Sequence, residues 1–339
     1  MEFIKYAPIG ITTLNRFEHF KNVIESLKLC PESRFSDLFV SVDYPSEKRY
    51  ELGYRKICEY LNNGIEGFNS VNIIFQKKNL GAMDNSAYVE KIIWEKGYKY
   101  YIMLEDDMAP IPTFLGFMNK CFEKFFVDSS VIGIGAWETM IKDINRYDAV
   151  YTHFGACVGM FTERRKMIIK NYANYHYLQE ALKNREKRKK VLKYRKDAYW
   201  KFVVIALGLD KRLQYNDGSV APVDYFCDTV CILEDLYTVF PIQSFIINTG
   251  LDGSGLHAGT IESDPPDLCM KELEEIVVLD KLTSNKYEQQ ANDIREYNKN
   301  MLIRSKILVA IFLIFGRDFA KWVNDCVEKI HMWKVKILS

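Results

Sequence analysis

The chain has 339 residues, 48% hydrophobic and 27% charged, with a formal net charge of +1. That length suits one large domain with an appendage, or two smaller domains, and the composition is that of a soluble globular protein with a core of useful size. A net charge so close to zero excludes a molecule-wide field for binding polyanions, so any basic site must be local.

Eight cysteines stand at positions 30, 58, 121, 157, 227, 231, 269 and 326, with no CxxC pair. This predicts reduced, mostly buried thiols in a cytosolic setting. Cys227 and Cys231 have helical i,i+4 spacing, which reads as core packing, because a metal site would need two further ligands. The N-terminal MEFIKYAPIGITT has no charged start followed by a long apolar run, so no signal peptide is expected. The longest apolar run, Ile307–Phe315, is well short of the roughly 20 residues that span a bilayer.

In chain order, short apolar runs at Pro8–Thr13, Leu38–Val42, Val71–Phe75 and Tyr100–Leu104 predict strands. Amphipathic stretches separate them. Phe20, Val23, Ile24 and Leu27 form one helical stripe, and Tyr88, Val89, Ile92 and Ile93 form another. Strands joined by helical connections predict a parallel sheet with right-handed crossovers, whose functional residues lie past the carboxyl ends of the strands. Two Gly-rich, strand-like pieces follow within 131–165, where glycines mark bulges or close backbone approach. Lys183–Lys196 carries nine basic residues and one acid. It is either a solvated helix face or a contact for anionic headgroups or a phosphorylated acceptor. Asp224–Leu256 reads as short strands and Gly-rich loops, and the residues after Asp267 as charged, then helical.

The central feature is YYIMLEDDMAP at 100–110, an apolar strand running straight into Glu105, Asp106 and Asp107. A buried strand ending in three acids is costly unless something positive sits there. One or two carboxylates with diphosphate oxygens and waters make a normal Mg²⁺ or Mn²⁺ shell, and such an ion stabilises a diphosphate leaving group. The plain alternative is a solvated acidic turn.

With these motifs in order, the chain resembles the GT-A glycosyltransferases. It is nearest to the type of N-acetylglucosaminyltransferase I and to related bacterial surface-polysaccharide enzymes (family 2-like). The likeness runs from about Pro8 to His257. APIGITTLNRFEHFKNVIESL resembles the first strand and the helix whose "NR" start lies beside the nucleotide. LFVSVDYPSE resembles the second strand, FQKKNLGAMDNS the loop and helix before the metal strand, and MLEDDMAP the E-D-D form of the DxD motif. IGIGAWETM and YTHFGACVGMFTERRK resemble the two segments that follow. APVDYFCDTV resembles the helix bearing the catalytic base, and FPIQSFIINTGLDGSGLHAG the last strand and closing loop. Two positions depart from the pattern: Val223 stands where a tryptophan precedes the catalytic aspartate, and Gly155-Ala156 where "GW" is common.

The resemblance implies an α/β GT-A fold, a Rossmann-like mixed and mostly parallel sheet flanked by helices, with a helical C-terminal extension. The transferase domain would be 1–265, with a donor half of about 1–130 and an acceptor half of about 131–265, and the extension 266–339. It further implies Asp107 as the direct ligand of Mn²⁺ or Mg²⁺, Asp106 bridging towards ribose and donor sugar, and Glu105 contacting the sugar. Thr12, Asn15 and Arg16 belong to the nucleotide side. Arg16 would pair with a donor phosphate or stack near the base, and is otherwise a helix-terminal charge. Asp43 either accepts a base N–H or is a turn residue before Tyr44-Pro45. Asn79, Gly81 and Asn85 would line the donor site, with Asp84 capping the next helix.

Asp224, seventeen residues before Pro241, would be the general base that takes the acceptor hydroxyl proton, giving inversion. His257, in DGSGLHAG, would complete the metal shell or bind diphosphate as the loop closes. The partners implied are a nucleotide-sugar donor, by resemblance a UDP-sugar, and a glycan or lipid-linked acceptor, without nucleic acid. The rival readings are a sugar-nucleotide nucleotidyltransferase, a glycoside hydrolase, and a catalytically silent protein on the same fold. The first lacks its glycine-rich loop after the first strand. From Leu302 onwards apolar runs mix with lysines and arginines, so this stretch is either a helix packed on the domain or an amphipathic helix on the inner membrane face.

Overall fold

The computed structural model describes residues 6–338 except 140, 142–145, 157, 212–213, 216, 218, 221–223, 256–265 and 295–297. For 169, 224–225, 293–294 and 330–338 it describes the backbone alone. The chain divides into two compact units. The first comprises 1–152, 156–166 and 237–284, and the second 153–155, 167–236 and 285–339.

In the first unit the four expected strands are β1 (Ile9–Thr13), β2 (Asp37–Val42), β3 (Ser70–Phe75) and β4 (Tyr100–Glu105). They pair in parallel in the order β4-β1-β2-β3, with Thr12 opposite both Ser41 and Glu105. Their connections are helical: α1 (Phe17–Lys28), α2 (Glu51–Asn62) and α3 (Ala82–Glu95). Helix α1 forms because its apolar residues recur on one face. Phe20, Val23, Ile24 and Leu27 are all fully buried, while Glu18 in the first turn and Lys28 in the last suit the helix dipole. Truncating Leu27 there would cost about 2–5 kcal/mol. In α3, Val89 and Ile93 are buried, whereas Tyr88 of the expected stripe is exposed.

Beyond β4 come β5 (Met108–Pro110), α4 (Phe114–Phe125), β6 (Val131–Gly135), β7 (Ala149–Thr152) and β8 (Gly159–Thr162). Next in the chain are α5 (Glu163–Tyr172), α6 (Tyr175–Lys183), α7 (Arg185–Tyr194), α8 (Lys196–Leu207) and α9 (Asp224–Glu234). Then follow β9 (Tyr237–Pro241), β10 (Ile246–Asn248), β11 (Val278–Leu279), α10 (Lys281–Ile294), α11 (Lys299–Phe315) and α12 (Arg317–Leu338). Among the described residues the sheet has nine strands, ordered β11-β7-β9-β6-β8-β4-β1-β2-β3. Strand β8 runs antiparallel to β4 and β6, and β7 to β9, so the sheet is mixed and mostly parallel, as expected. β5 and β10 form a separate antiparallel pair, with Asn248 opposite Met108.

The direct reading of Asp224–Leu256 as short strands holds only from Tyr237. Phe226, Cys227, Val230, Cys231 and Leu233 are buried at helical spacing, and 224–234 is α9, the helix the resemblance implied. The helical stretch expected after Asp267 begins only at Lys281, after β11.

The second unit is helical and has its own core, built from Leu178, Leu182, Phe202, Ile205, Phe226 and Phe312 among others. Buried polar contacts fix its parts. His153 Nδ1 lies 2.8 Å from Glu288 of α10. Asn292 Nδ2 donates to the Leu192 and Lys193 carbonyls at 3.2 and 3.1 Å. These partners satisfy groups that would otherwise be costly to bury.

Candidate active site

Strand order reverses between β1 and β4, since β2 and β3 continue on one side of β1 and β4 lies on the other. The carboxyl ends at such a switch point open the ligand crevice of an α/β sheet. Three candidate side chains, Arg16, Asp106 and Asp107, meet there, and Thr13 joins them. β4 is buried from Tyr100 to Leu104, Glu105 at its end is exposed, and Asp106 and Asp107 beyond it are buried. Thr13, the last residue of β1, donates from Oγ1 to Asp106 Oδ2 at 2.8 Å. Arg16, the residue before α1, lays its guanidinium across both acids. Nη2 donates to Asp106 Oδ1, and Nη1 to Asp107 Oδ2 at 2.7 Å.

The electrostatics follow from burial. Desolvation raises Asp106, against the opposing pull of Arg16 and Thr13, and the net shift is upwards. Desolvation alone would lower Arg16, but the two carboxylates outweigh it and hold the guanidinium charged. One atom is left over: Asp107 Oδ1 is buried and has no hydrogen-bond partner among the described residues. A carboxylate oxygen in that state is costly unless a positive or donating group comes to it.

The turn after β10 closes on the same aspartate. Thr249 donates to the Asp107 carbonyl from its N–H at 2.8 Å and from its hydroxyl at 3.0 Å. His19 of α1 holds this turn with both ring nitrogens. Nδ1 lies 3.0 Å from Thr249 Oγ1, and Nε2 lies 3.0 Å from Asp252 Oδ2 and 3.3 Å from Ser254 Oγ. The two donors on Ser254 lead in bringing Asp252 down to about 2, with the His19 contact adding to them. Sequence reasoning missed His19. Its one local signal is the i,i+3 spacing from Arg16, which puts both on one side of α1.

The remaining donor-side candidates lie at the ends of β1, β2 and β3. Thr12 pairs opposite Ser41 and Glu105 within the sheet. Asn15 presents its carbonyl to Gly53 of α2, where any Cβ would lie 1.8 Å from that oxygen. Asp43 is buried and its carboxylate is already engaged. It accepts from the N–H groups of Tyr44, Leu80 and Gly81 at 2.9, 2.8 and 2.8 Å, and from Asn79 Nδ2 at 3.3 Å. Asp43 therefore ties the end of β2 to the loop before α3, and Gly81 precedes that helix at φ +80°, a conformation suited to glycine. Asn85 is buried and bonds Ser41 and Gln76. Gly81 stands at the N-cap of α3 and has no side chain to cap it, and Asp84 lies in the first turn.

Asp224 opens α9, and its side chain, like all of His257, lies outside the described residues. Two other acids at α9 are committed elsewhere. Asp228 accepts from the Gly155 N–H at 2.6 Å and pairs with Arg195, and Asp235 pairs with Lys190 at 2.7 Å. The basic stretch 183–196 is extensively paired: Lys183 with Glu180, Lys187 with Glu234, Lys189 with Glu186, and Arg195 with Asp197 and Asp228. Those pairs favour the solvated-face reading of its charge. The described cysteines are free thiols, and burial pushes Cys30 up to about 11.

No family model matches the chain, and no characterised protein matches it in sequence. Solved structures do match part of it. Staphylococcus aureus TarS matches at 11% identity and a TM-score of 0.29, over 49% of this chain and 29% of that one. Its 1–349 fragment matches at 11% and 0.29, over 48% of each chain. The mannosyltransferase PcManGT from Pyrobaculum calidifontis, solved with GDP-Man and Mn²⁺, matches at 10% and 0.33, over 50% of this chain and 47% of that one. The chain thus spans less than half the length of each, and scores at this level assign no role to any residue.

Proposed function

We propose that this chain is a GT-A-type glycosyltransferase that takes a sugar from a nucleotide-diphosphate donor to an acceptor hydroxyl. One observation carries the reading. A buried strand delivers two adjacent aspartates to the sheet's switch point, and one of them keeps a buried oxygen unmatched among the described residues. Hard divalent cations take such oxygens, and a shell of one or two carboxylates completed by diphosphate and water needs no third protein acid. Among the described residues no group of three or more His, Cys, Asp or Glu side chains converges, which fits that economy.

In this reading Asp107 would hold Mn²⁺ or Mg²⁺, with Asp106 beside it and His257 as a further ligand. When bound, the ion would neutralise the diphosphate as the nucleotide departs. Arg16 is shared between the acids in the free protein and turns part of its fork to a donor phosphate. Glu105 reaches the sugar. Asp43 shapes the nucleotide pocket by holding Asn79, Leu80 and Gly81, and Thr12, Asn15 and Asn85 complete its walls. Asp224 is the general base, a choice supported by the commitment of Asp228 and Asp235 to basic partners. A UDP-sugar donor, inversion at the anomeric carbon, a glycan or lipid-linked glycan acceptor, and the 1–265 transferase domain belong to the same proposal.

A silent binding protein on this fold is the second reading, and the Arg16 fork favours it, because the acids are already neutralised from within. A screen of nucleotide sugars for Mn²⁺-dependent nucleotide release separates the two. Turnover that survives in neither Asp107→Asn nor Asp224→Asn supports the transferase. Absence of turnover with every donor and a range of glycan acceptors supports the silent protein.

A further inference from the structure

The last two described helices leave apolar surface uncovered. α11 turns Ser305, Leu308, Val309 and Phe312 inwards, as its core face requires. Its opposite face is apolar too. Ile303, Ile307 and Ile314 fall within one narrow stripe at 3.6 residues per turn, and they are 56%, 54% and 72% exposed. A helix apolar on both sides belongs in a core or against lipid. At its C-terminal end the stripe meets an aromatic cluster. Phe315 lies 4.9 Å from Phe319, and Phe319 lies 5.4 Å from Trp322, with all three exposed.

Charge surrounds this patch. Residues 299–329 carry six basic side chains, Lys299, Arg304, Lys306, Arg317, Lys321 and Lys329, against three acids. Arg304 is paired with Glu328, and Arg317 donates to the Leu207 carbonyl and lies over Tyr175, so the remaining excess is lysine. Lysine is depleted from protein–protein interfaces but suits a lipid surface, where its stem lies along acyl chains and its ammonium meets anionic headgroups. Exposed tryptophan is likewise placed at the level of headgroups. No described helix is long and apolar enough to cross a membrane, so the contact is interfacial.

We infer that the outer face of α11 and the aromatic start of α12 dock on an anionic lipid surface. The isoleucine stripe and the Phe315–Phe319–Trp322 cluster enter the interface, and Lys306 and Lys321 meet headgroup phosphates. This surface is independent of the donor site, so either proposal can fail without the other.

The test is co-sedimentation of the full chain with phosphatidylcholine vesicles, with and without phosphatidylglycerol, alongside quenching of tryptophan by brominated lipid. The wild type binds the anionic vesicles, more weakly as salt rises. Ile303→Ser/Ile307→Ser/Ile314→Ser and Phe315→Ser/Trp322→Ser each lower binding by more than about tenfold, while melting curves stay those of the wild type. Lys306→Glu/Lys321→Glu keeps the apolar contact and removes the preference for phosphatidylglycerol. Absence of wild-type binding, or equal binding by the isoleucine variant, overturns the inference. So does a dimer in vesicle-free solution that the isoleucine variant abolishes, because the face would then belong to a second copy. Equal binding to both vesicle types removes the anionic specificity and overturns the charge half of the argument.

Discussion

Gly250 lies so close to Asp107 that a Cβ at that position would sit 2.0 Å from the carboxylate Oδ2. The turn after β10 therefore shapes the acidic strand end directly, as well as covering it. Gly250→Ala must push either the turn or the carboxylate aside, and the carboxylate is the softer of the two. The expected outcome is a folded protein whose Mn²⁺ affinity, measured by electron paramagnetic resonance, falls by about tenfold or more. Unchanged affinity would show that Asp107 can move without consequence for the ion.

His19 reaches the same turn from α1. His19→Asn keeps a donor near the Nδ1 position, towards Thr249, whereas His19→Phe keeps neither contact. Hydrogen exchange of the 249–254 backbone is expected to speed up strongly in His19→Phe and much less in His19→Asn. Equal protection in all three proteins would reduce the two ring contacts to incidental neighbours.

Arg16 holds two buried acids at once, and removing one partner of a buried charge pair leaves the other uncompensated. Arg16→Met is expected to lose about 3 kcal/mol of stability in urea denaturation. Arg16→Lys restores the charge without the two-pronged geometry and should recover only part of that loss. A loss well under about 1 kcal/mol would mean that the fork contributes as little as a surface pair.

Stability should also depend on pH through Asp128. Burial alone would raise this carboxyl, but the Lys281 ammonium and the Ser130 donors outweigh it and hold Asp128 below its ordinary value. A depressed carboxylate stabilises the fold above its unfolded-state value and loses that contribution as pH falls through the folded-state value. The melting-temperature gap between wild type and Lys281→Met should be widest near neutrality and should narrow below about pH 4. A gap that stays constant across that range would assign the effect to the packing of Lys281 between Tyr151 and Tyr237 instead.

The parts legible in the sequence are those written in local periodicity. β1 to β4 announce themselves as apolar runs, the α1 stripe from Phe20 to Leu27 is fully buried, and Asp106 and Asp107 stand where a parallel sheet opens. What could not be read depends on contacts between distant positions. Arg16 meets its aspartates across about ninety residues of chain, and His19 meets Asp252 across more than two hundred. Asp43 reads locally as a turn residue or a base contact, and nothing nearby in sequence discloses that Leu80 and Gly81 donate their N–H groups to it. The basic run at 183–196 reads either as a solvated helix face or as an anionic contact, and its pairing is not legible locally because Glu234 and Asp235, which neutralise part of it, arrive some forty residues later. The helix at 224–234 was obscured by β-branched and aromatic residues, whose burial at helical spacing appears only once the second core is assembled.

In the proposed function, Asp107 presents a carboxylate oxygen to a divalent ion that carries a nucleotide diphosphate. Calorimetric titration of UDP into the full chain, with Mn²⁺ and then with excess chelator, tests it most directly. Saturable binding that requires Mn²⁺ and disappears in Asp107→Asn, with the variant's melting temperature preserved, is the predicted result. UDP binding of equal strength in chelator, or in Asp107→Asn with Mn²⁺, would contradict it.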